Sequence, residues 1–220
     1  MSVHCAGAAK LIGVAERLFS EKGIQAVSLN EINKAAEQRH ASACQYHFGN
    51  KDGLIQAILD KHIPGIAQQR DNMFDAMEAA RTIPAIEDVV TAFTRPVAAK
   101  LLDPDGGKEF VRLNAQLVAV HTLTIRRGDS APFTAPLTGR LSRMLHQALE
   151  DHAIPAHVAE RRLVIASVML FHGLADYSHL LESSGTLNHA NLQAFTADLE
   201  VMMVAALVAP LEKRKNADVQ

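Results

Sequence analysis

Polar side chains that can exchange hydrogen bonds with a nucleic acid are concentrated in one short segment near the N-terminus. They are Arg39, His40, Ser42, Gln45, Tyr46 and His47. Arginine can bridge the edge of a guanine, glutamine the edge of an adenine, and hydroxyl or imidazole groups can contact bases or phosphates. Residues 1–51 carry six Lys and Arg against four Glu, although the whole chain has a formal net charge of −2. The pattern favours a DNA-contacting segment at this end of the chain.

The residues before this segment predict two helices. An apolar stripe over residues 8–19 has helical spacing and is ended by Gly23. Ser28 and Glu31 then have the spacing of a capping box, in which the Ser28 hydroxyl accepts from the Glu31 amide and the Glu31 carboxylate reaches back. We therefore expect the second helix to begin at Leu29.

Two more helices are predicted around and after the polar segment. The first covers about residues 41–48 and buries Cys44 and Phe48, which lie four residues apart on one face. The second is capped by Asn50 and covers about residues 51–63, because Pro64 and the glycine after it should stop a helix.

A pair of short helices joined by a tight turn is a helix-turn-helix, whose second helix enters the major groove of DNA. Ser28 and Asn50 each begin a helix whose free amides attract phosphate, and Lys51 adds a positive charge beside the second of these helices. The predicted DNA-binding residues are therefore Ser28, Arg39, His40, Ser42, Gln45, Tyr46, His47 and Lys51.

The rest of the chain is predicted to be helical as well, because apolar residues recur every three or four positions between Gly- and Pro-containing separators. The predicted helices cover about residues 66–81, 84–102, 108–127, 136–152, 156–183 and 188–209. Pro96 lies inside one of them and should kink or split it. The fold class is therefore all-α, with a three-helix, homeodomain-like module followed by a bundle of about six helices.

Composition argues against several other classes of protein. Cys5 and Cys44 are the only cysteines, too few for a disulfide framework, and a reducing cytoplasm is the compartment they favour. Cys44 lies on the face of Phe48, which indicates a core residue rather than a redox sensor. The most apolar runs, residues 163–175 and 201–210, are too short to span a membrane and predict buried helices.

Sites for metals, cofactors and catalysis are not predicted. None of the eleven histidines lies three or four residues from another, so the helical pair that binds zinc is missing. The sequence has no glycine-rich phosphate loop, nucleophile elbow or HExxH motif, which argues against an enzyme. The remaining alternative is a helical adaptor that does not bind DNA. Such a protein would show no salt-dependent DNA affinity, whereas a DNA-binding regulator should lose binding steeply as salt rises.

Three motifs between residues 11 and 58 indicate a known family. They are A-x-x-L-F-x-E-x-G from Ala15 to Gly23, S-L-x-x-I from Ser28 to Ile32, and Y-H-F-G-x-K-x-x-L from Tyr46 to Leu54. Together they resemble the N-terminal domain of the TetR family. The resemblance implies a transcriptional regulator, most often a repressor, that binds palindromic operator DNA as a dimer and is released by a small molecule.

The turn of the helix-turn-helix departs from the family pattern. The usual A-G-V-S is replaced by Ala36-Glu37-Gln38-Arg39, so a glutamate occupies a position often given to glycine for its left-handed backbone. The segment from Ile32 to Phe48 is also one residue longer than in the commonest version, and is similar to a subgroup with Q-R-N-x-S-A before Y-H-F-G. We therefore expect a longer turn.

The resemblance also implies roles for the remaining helices. The last two, over about 156–183 and 188–209, would pair with their copies in a homodimer, and the helices before them would enclose a mostly apolar effector. Binding would tilt the two DNA-binding modules by moving the fourth helix. Polar and large apolar residues within the helical stretches are the predicted ligand contacts: Phe93, Phe110, Asn114, Gln116, His121, Met144, Met169, His172 and Asp176.

The expected organisation has four parts. Residues 1–50 form the DNA-binding domain, residues 51–64 a connecting helix, residues 65–211 the ligand-binding and dimerisation domain, and residues 212–220 a frayed tail.

Overall fold

The computed structural model describes residues 3–80, 84–121, 139–150, 152–186 and 188–211. Over these residues the chain is helical and contains no strand, which confirms the all-α fold class. The helices are α1 (Val3–Lys22), α2 (Leu29–Ala35), α3 (Ala43–Phe48), α4 (Lys51–Ala79), α5 (Ile86–Ala98), α6 (Gly107–His121), α7 (Arg140–Glu150), α8 (Ala156–Ser184) and α9 (His189–Val208). A short 3-10 helix, Ala99–Leu102, continues α5.

The first three helices form a small unit with its own apolar centre, which includes the fully buried Phe19 and Ile32. Their ends follow from local chemistry. Gly23 ends α1 with a φ of 88°, a left-handed conformation that costs glycine little. Ser28 Oγ accepts from the Glu31 amide at 3.1 Å, so α2 begins at Leu29 as predicted.

Helix α4 is longer than the sequence predicted, because Pro64 lies inside it and does not end it. The predicted end at Pro64, and the separate helix over 66–81, are therefore wrong. An interior proline costs a helix about 3 kcal/mol. Buried residues at Ile58, Ile66 and Phe74 continue one face of α4 on both sides of Pro64, and burial of each such side chain contributes about 1.5–3 kcal/mol. Packing along this face outweighs the loss of one hydrogen bond.

The second interior proline, Pro96, has a milder effect than predicted. The α-helical geometry of α5 runs through Pro96 to Ala98 and changes to 3-10 geometry over Ala99–Leu102. The combined element falls within the predicted range of 84–102.

Helices α4 to α9 form the C-terminal bundle. Helix α6 packs on α8, α5 packs on α4, α7 and α9, and α8 packs on α9. The centre of the bundle includes the buried side chains of Val90, Leu113, Leu170 and Met203. Helix α1 of the N-terminal unit packs on two helices of the bundle, α6 and α4.

Within one chain, helices α8 and α9 are not buried all round, so the predicted burial of residues 163–175 and 201–210 stays a prediction for the dimer. Ile165 on α8 and Val201 and Met202 on α9 are 55%, 70% and 60% exposed. By length and mean hydropathy alone, both helices could cross a membrane. Apolar helices that pack in a soluble bundle pass the same test, and each of the two packs on its neighbours through one side.

Candidate DNA-binding surface and internal cavity

Helix α3 buries one side and presents the other to solvent. Cys44 is fully buried, and burial raises the pKa of its thiol to about 11. The thiolate, which is the reactive form, is therefore disfavoured, and Cys44 acts as a core side chain. Gln45 and Tyr46 lie on the opposite side, where Tyr46 is 73% exposed.

The predicted base-contacting residues share this outer surface of α3 and the turn before it. Arg39, His40, Ser42 and Gln45 are exposed, and His47 is half-buried with its ring centroid 5.1 Å from that of Tyr46. Ser42 is the residue before α3, and its hydroxyl makes no capping hydrogen bond. The surface thus offers guanidinium, amide, hydroxyl and imidazole groups side by side, the groups that read base edges and phosphates.

Asn33, which the sequence analysis did not single out, fixes the position of α3. Its side chain is buried, its Nδ2 donates to the carbonyl of Ala41, and its Oδ1 accepts from the Cys44 amide at 2.8 Å. The amide therefore bridges α2 to both the turn and the first residues of α3. A polar residue at a buried register of α2, one position after Ile32, is the signal that could have identified it.

We predict that Asn33→Ala destabilises the protein by about 1–3 kcal/mol, because it leaves the buried Cys44 amide without its partner and removes the bond to the Ala41 carbonyl. DNA affinity should fall as well, since α3 loses its anchor. Urea unfolding followed by circular dichroism measures the first effect, and a gel-shift titration measures the second. Lys34→Ala on the exposed side of α2 is the matched control for stability. Equal unfolding midpoints for Asn33→Ala and wild type would contradict the bridging role.

The two predicted phosphate sites have partners within the protein. The Glu31 carboxylate is directed to Lys22 Nζ at 2.7 Å, so the capping box at Ser28 is formed on one side. Asn50 Oδ1 accepts from the Gly53 amide at 2.8 Å and starts α4, as predicted. Lys51 Nζ donates to the carbonyl of Ile24 at 2.9 Å. An ammonium group has three donors, so a phosphate contact by Lys51 stays a prediction.

A cavity of about 460 Å³ lies between α4, α5, α6, α7 and α8 and is open to solvent on one side, where the exposed Asp60 and Pro64 line it. Phe93 and Phe110, both predicted ligand contacts, line it together with Phe171. Its apolar wall also includes Ile63, Val97 and Leu141. The volume falls in the range of small-molecule sites, and the wall suits an apolar ligand.

Arg70 is the second functional residue that the sequence analysis missed. It lines the cavity but is only 6% exposed, and its Nε donates to the carbonyl of Ala92 at 3.3 Å. Its Nη2 has no hydrogen-bond partner among the described residues, although the guanidinium lies 5.8 Å from the ring centroid of Phe93. An unsatisfied buried donor costs about 1–3 kcal/mol, and more when it is charged.

Burial lowers the pKa of Arg70 to about 10, and the charge of Asp71 acts in the opposite direction. Arg70 is therefore still a cation near neutral pH. Its place on α4 continues the buried series Ile58, His62, Ile66 and Phe74 at four-residue spacing. This register is the signal by which the sequence could have shown a buried arginine.

A buried polar cluster connects the cavity wall to α1. Glu16 of α1 is 1% exposed, with Oε1 2.8 Å from His62 Nε2 and Oε2 3.0 Å from Lys61 Nζ. Lys61 also donates to Asp105, in the loop before α6, at 2.9 Å. The ring of His62 lies 4.6 Å from that of Phe110, which lines the cavity. Contacts therefore run without interruption from the cavity through Phe110 and His62 to Glu16.

The model of the family "Bacterial regulatory proteins, tetR family" matches residues 11–58, the segment that contains the exposed surface of α3. The match identifies this segment as a TetR-type N-terminal helix-turn-helix domain, which supports a TetR-type transcriptional regulator. Regulators of this family are in general DNA-binding proteins rather than enzymes. Within the part of the chain that the structure describes, no group of three His, Cys, Asp or Glu residues is placed to hold a metal ion.

Among the solved structures, the chain is similar to one described as "Molecular basis for control of antibiotic production by a bacterial hormones". The two chains are 19% identical, the match covers 94% of this chain and 98% of the other, and the TM-score is 0.47. No curated protein matches the sequence.

Two of the predicted ligand contacts have other partners in the structure. Gln116 accepts from the Ile24 amide at 2.8 Å and donates to the carbonyl of Phe19 at 2.9 Å, so it fastens α6 to the end of α1. Asn114 is buried and donates to the carbonyl of Phe110 within α6 at 2.9 Å. Neither residue lines the cavity.

The other predicted contacts also lie away from the cavity wall. Met144 is buried in the core between α7 and its neighbours, whereas Met169 and His172 are half-buried and Asp176 is exposed on α8. The last three lie on the same side of α8 as Ile165, at intervals of three or four residues. The side chain of His121 lies outside the described residues.

The unusual turn of the TetR helix-turn-helix is formed without glycine. Glu37 adopts a φ of 53°, in the left-handed region, and its carboxylate lies 3.2 Å from Lys10 Nζ. The Gln38 amide donates to the carbonyl of Asn33 at 3.0 Å, so the chain reverses directly after α2. Five more residues, 38–42, then precede α3, which agrees with the longer turn expected from the sequence.

Proposed function

We propose that this TetR regulator is a cytoplasmic repressor that binds palindromic operator DNA as a homodimer. A small, mostly apolar effector that enters the cavity would release it from DNA. The observation that carries the proposal is the exposed polar surface of α3, where Gln45 and Tyr46 face solvent while Cys44 anchors the helix in the core. This is the arrangement that a recognition helix needs in order to enter the major groove.

The contacts with DNA divide into two groups. Arg39 and Gln45 are the candidates for reading guanine and adenine edges, because each has two donors or a donor and an acceptor in a fixed geometry. Ser28, Tyr46 and Lys51 are candidates for phosphate contacts that position the helix without reading sequence. His40, Ser42 and His47 lie between these groups and could contact either.

Selection of bound sequences from random duplexes tests the proposal directly. We expect enrichment of an inverted repeat whose half-sites are about one helical turn apart, since two identical recognition helices must bind the same face of the duplex. Affinity should also fall steeply as salt rises. A helical adaptor without DNA affinity would enrich no sequence, and that result would overturn the proposal.

Gln45→Ala should relax the preference at one base pair of each half-site, by about ten- to a hundredfold if the glutamine makes a bidentate contact with adenine. Tyr46→Ala should instead weaken all sequences alike. The measurement is a repeat of the duplex selection with each variant, and Gln69→Ala on the exposed side of α4 is the control. Unchanged selectivity in the Gln45 variant would exclude that residue from base readout.

The dimer would form through α8 and α9. Four large apolar side chains are exposed there: Ile165 and Leu180 on α8, at 55% and 61%, and Val201 and Met202 on α9, at 70% and 60%. We refer to these four residues as the apolar face. Exposed apolar patches of this kind are typical of protein interfaces. Met169, His172 and Asp176 lie between Ile165 and Leu180 along α8 and would join the same interface.

The effector signal would travel through α4 and α6. Helix α4 begins at the helix-turn-helix, where Lys51 contacts Ile24, and it lines the cavity further along its length. Helix α6 contributes Phe110 to the cavity and is fastened to the end of α1 by Gln116. A ligand that displaces either helix would therefore change the position of the N-terminal unit. A saturating cavity ligand that left operator affinity unchanged would contradict this coupling.

A further inference from the structure

The cavity contains a buried cation for which the described residues provide no counter-ion. Arg70 Nη2 is inaccessible and has no hydrogen-bond partner among the described residues, whereas Nε donates to the carbonyl of Ala92. Buried guanidinium groups are normally paired with a carboxylate or are hydrogen-bonded throughout. Arg70 is an exception to this rule, and it lies at the wall of a cavity whose volume suits a small molecule.

Arg140, the other cation of the cavity wall, is already paired with carboxylates. Arg140 pairs with Asp75 at 2.7 Å and Glu78 at 2.9 Å, and lies 3.8 Å from Asp71. Asp60 accepts a hydrogen bond from Gln56 at 2.8 Å. Asp71 acts on Arg70 only at longer range, since no ion pair joins them in the described part of the chain. An anion that enters the cavity therefore meets one unpaired cation.

The rest of the wall specifies what that anion must carry. Phe93, Phe110 and Phe171 provide aromatic surface, and Ile63, Val97 and Leu141 provide aliphatic surface. A free inorganic ion would leave this surface uncovered, whereas an apolar molecule without a charge would leave Arg70 Nη2 unsatisfied. Only a molecule with both parts satisfies the whole wall.

We propose that the effector is an apolar carboxylate whose acid group pairs with the guanidinium of Arg70. Nε is used by the carbonyl of Ala92 and Nη2 has no accessible surface, so the end of the guanidinium turns into the cavity when the carboxylate binds. This inference rests on the proposed function, because it names the chemical class of the ligand for the same cavity. It also explains why an unpaired arginine is kept at this position: the ligand completes its hydrogen bonds.

The test compares acids with neutral molecules of the same shape. Straight-chain carboxylates from hexanoate to decanoate, and the methyl ester and primary amide of each, are titrated into the full-length protein by calorimetry. We expect at least one acid to bind about tenfold or more tightly than its ester and amide, since a charge-assisted hydrogen bond to a buried cation is lost in both. Acetate, which has the charge without the chain, should bind far more weakly.

Arg70→Met should abolish the preference for the acid while leaving ester binding at the wild-type level. Arg140→Met, a change of the same kind at a cavity arginine that is already paired, should keep the preference. The Arg70 variant is expected to fold, because replacing an unpaired buried charge with an apolar side chain is neutral or stabilising. Its melting temperature without ligand should equal or exceed that of wild type.

Two results would overturn the inference: acids that bind wild type no better than their esters and amides, or an Arg70→Met variant that keeps the preference. A separate experiment measures duplex binding by the same two proteins without any ligand. Wild-type DNA affinity together with no acid preference would reject the carboxylate and leave the DNA-binding function standing. An acid preference in a protein that binds no duplex would reject the DNA-binding function and leave the carboxylate standing.

Discussion

Replacement of Val201 and Met202 by glutamate is expected to convert the regulator into a monomer that binds a palindromic duplex at least about a hundredfold more weakly than wild type. The two side chains are 70% and 60% exposed on α9 and belong to the apolar face. In a twofold dimer the double variant places four carboxylates in one interface, where they repel one another and lose hydration. Each DNA-binding unit then binds its half-site independently, without the high effective concentration that a dimer provides.

Light scattering measures the oligomeric state, and a gel-shift titration with the selected inverted repeat measures affinity. Gln69→Glu together with Ala76→Glu adds the same charge at exposed positions of α4 and is the matched control. The control should remain a dimer with nearly wild-type affinity, since it changes net charge equally. If the Val201 and Met202 variant stayed a dimer, the interface would have to lie elsewhere on the molecule.

The ends of the N-terminal helices could be predicted from the sequence because they depend on local chemistry. Gly23 provides a left-handed residue, Ser28 and Asn50 provide side-chain oxygens for free amides, and each effect acts within three residues. The exposed side of α3 could be predicted for a similar reason. Once Cys44 is assigned to the core, the helical period places Gln45 and Tyr46 on the outside.

The length of α4 could not be predicted from local rules, because Pro64 breaks a helix unless tertiary packing compensates. The compensation comes from tertiary packing: α4 packs on α1, α3, α5 and α6, and it has buried residues on both sides of Pro64. Sequence spacing contains these residues but does not show that neighbouring helices cover them. The error is therefore one of tertiary context rather than of helix propensity.

The cavity residues show the same limit. Phe93 and Phe110 are predicted ligand contacts and line the cavity. The polar candidates are harder to place, because a polar residue within an apolar helix can face a ligand, a backbone group or a second subunit. Gln116 faces the backbone of α1, and Asp176 faces outwards from α8. Only contacts between distant segments distinguish these cases. The same kind of contact places Arg70, one helical turn from Ile66, at the cavity wall.

The cluster around Glu16 connects the cavity wall to the N-terminal unit. Its disruption is expected to cause a large loss of stability. Glu16→Ala is expected to destabilise the protein by about 3 kcal/mol, because breaking a buried ion pair leaves its partners without compensation. His62 is as buried as Glu16, and Lys61 keeps only the exposed Asp105. The Glu16 carboxylate also packs closely against Gly106, because a Cβ added to Gly106 would collide with it.

Chemical unfolding of the variants measures this loss, and two controls separate its causes. Glu21→Ala removes an exposed carboxylate from the same helix and should unfold at the wild-type denaturant concentration. Glu16→Gln keeps the shape and the capacity to hydrogen-bond to His62, so it should lose less stability than Glu16→Ala. If the alanine and glutamine variants lost stability equally, the charge of Glu16 would be what matters. If neither lost any, the cluster would not hold α1 to α4, and the signal from the cavity would have to reach the DNA-binding unit through Gln116 and the contact of Lys51 with Ile24.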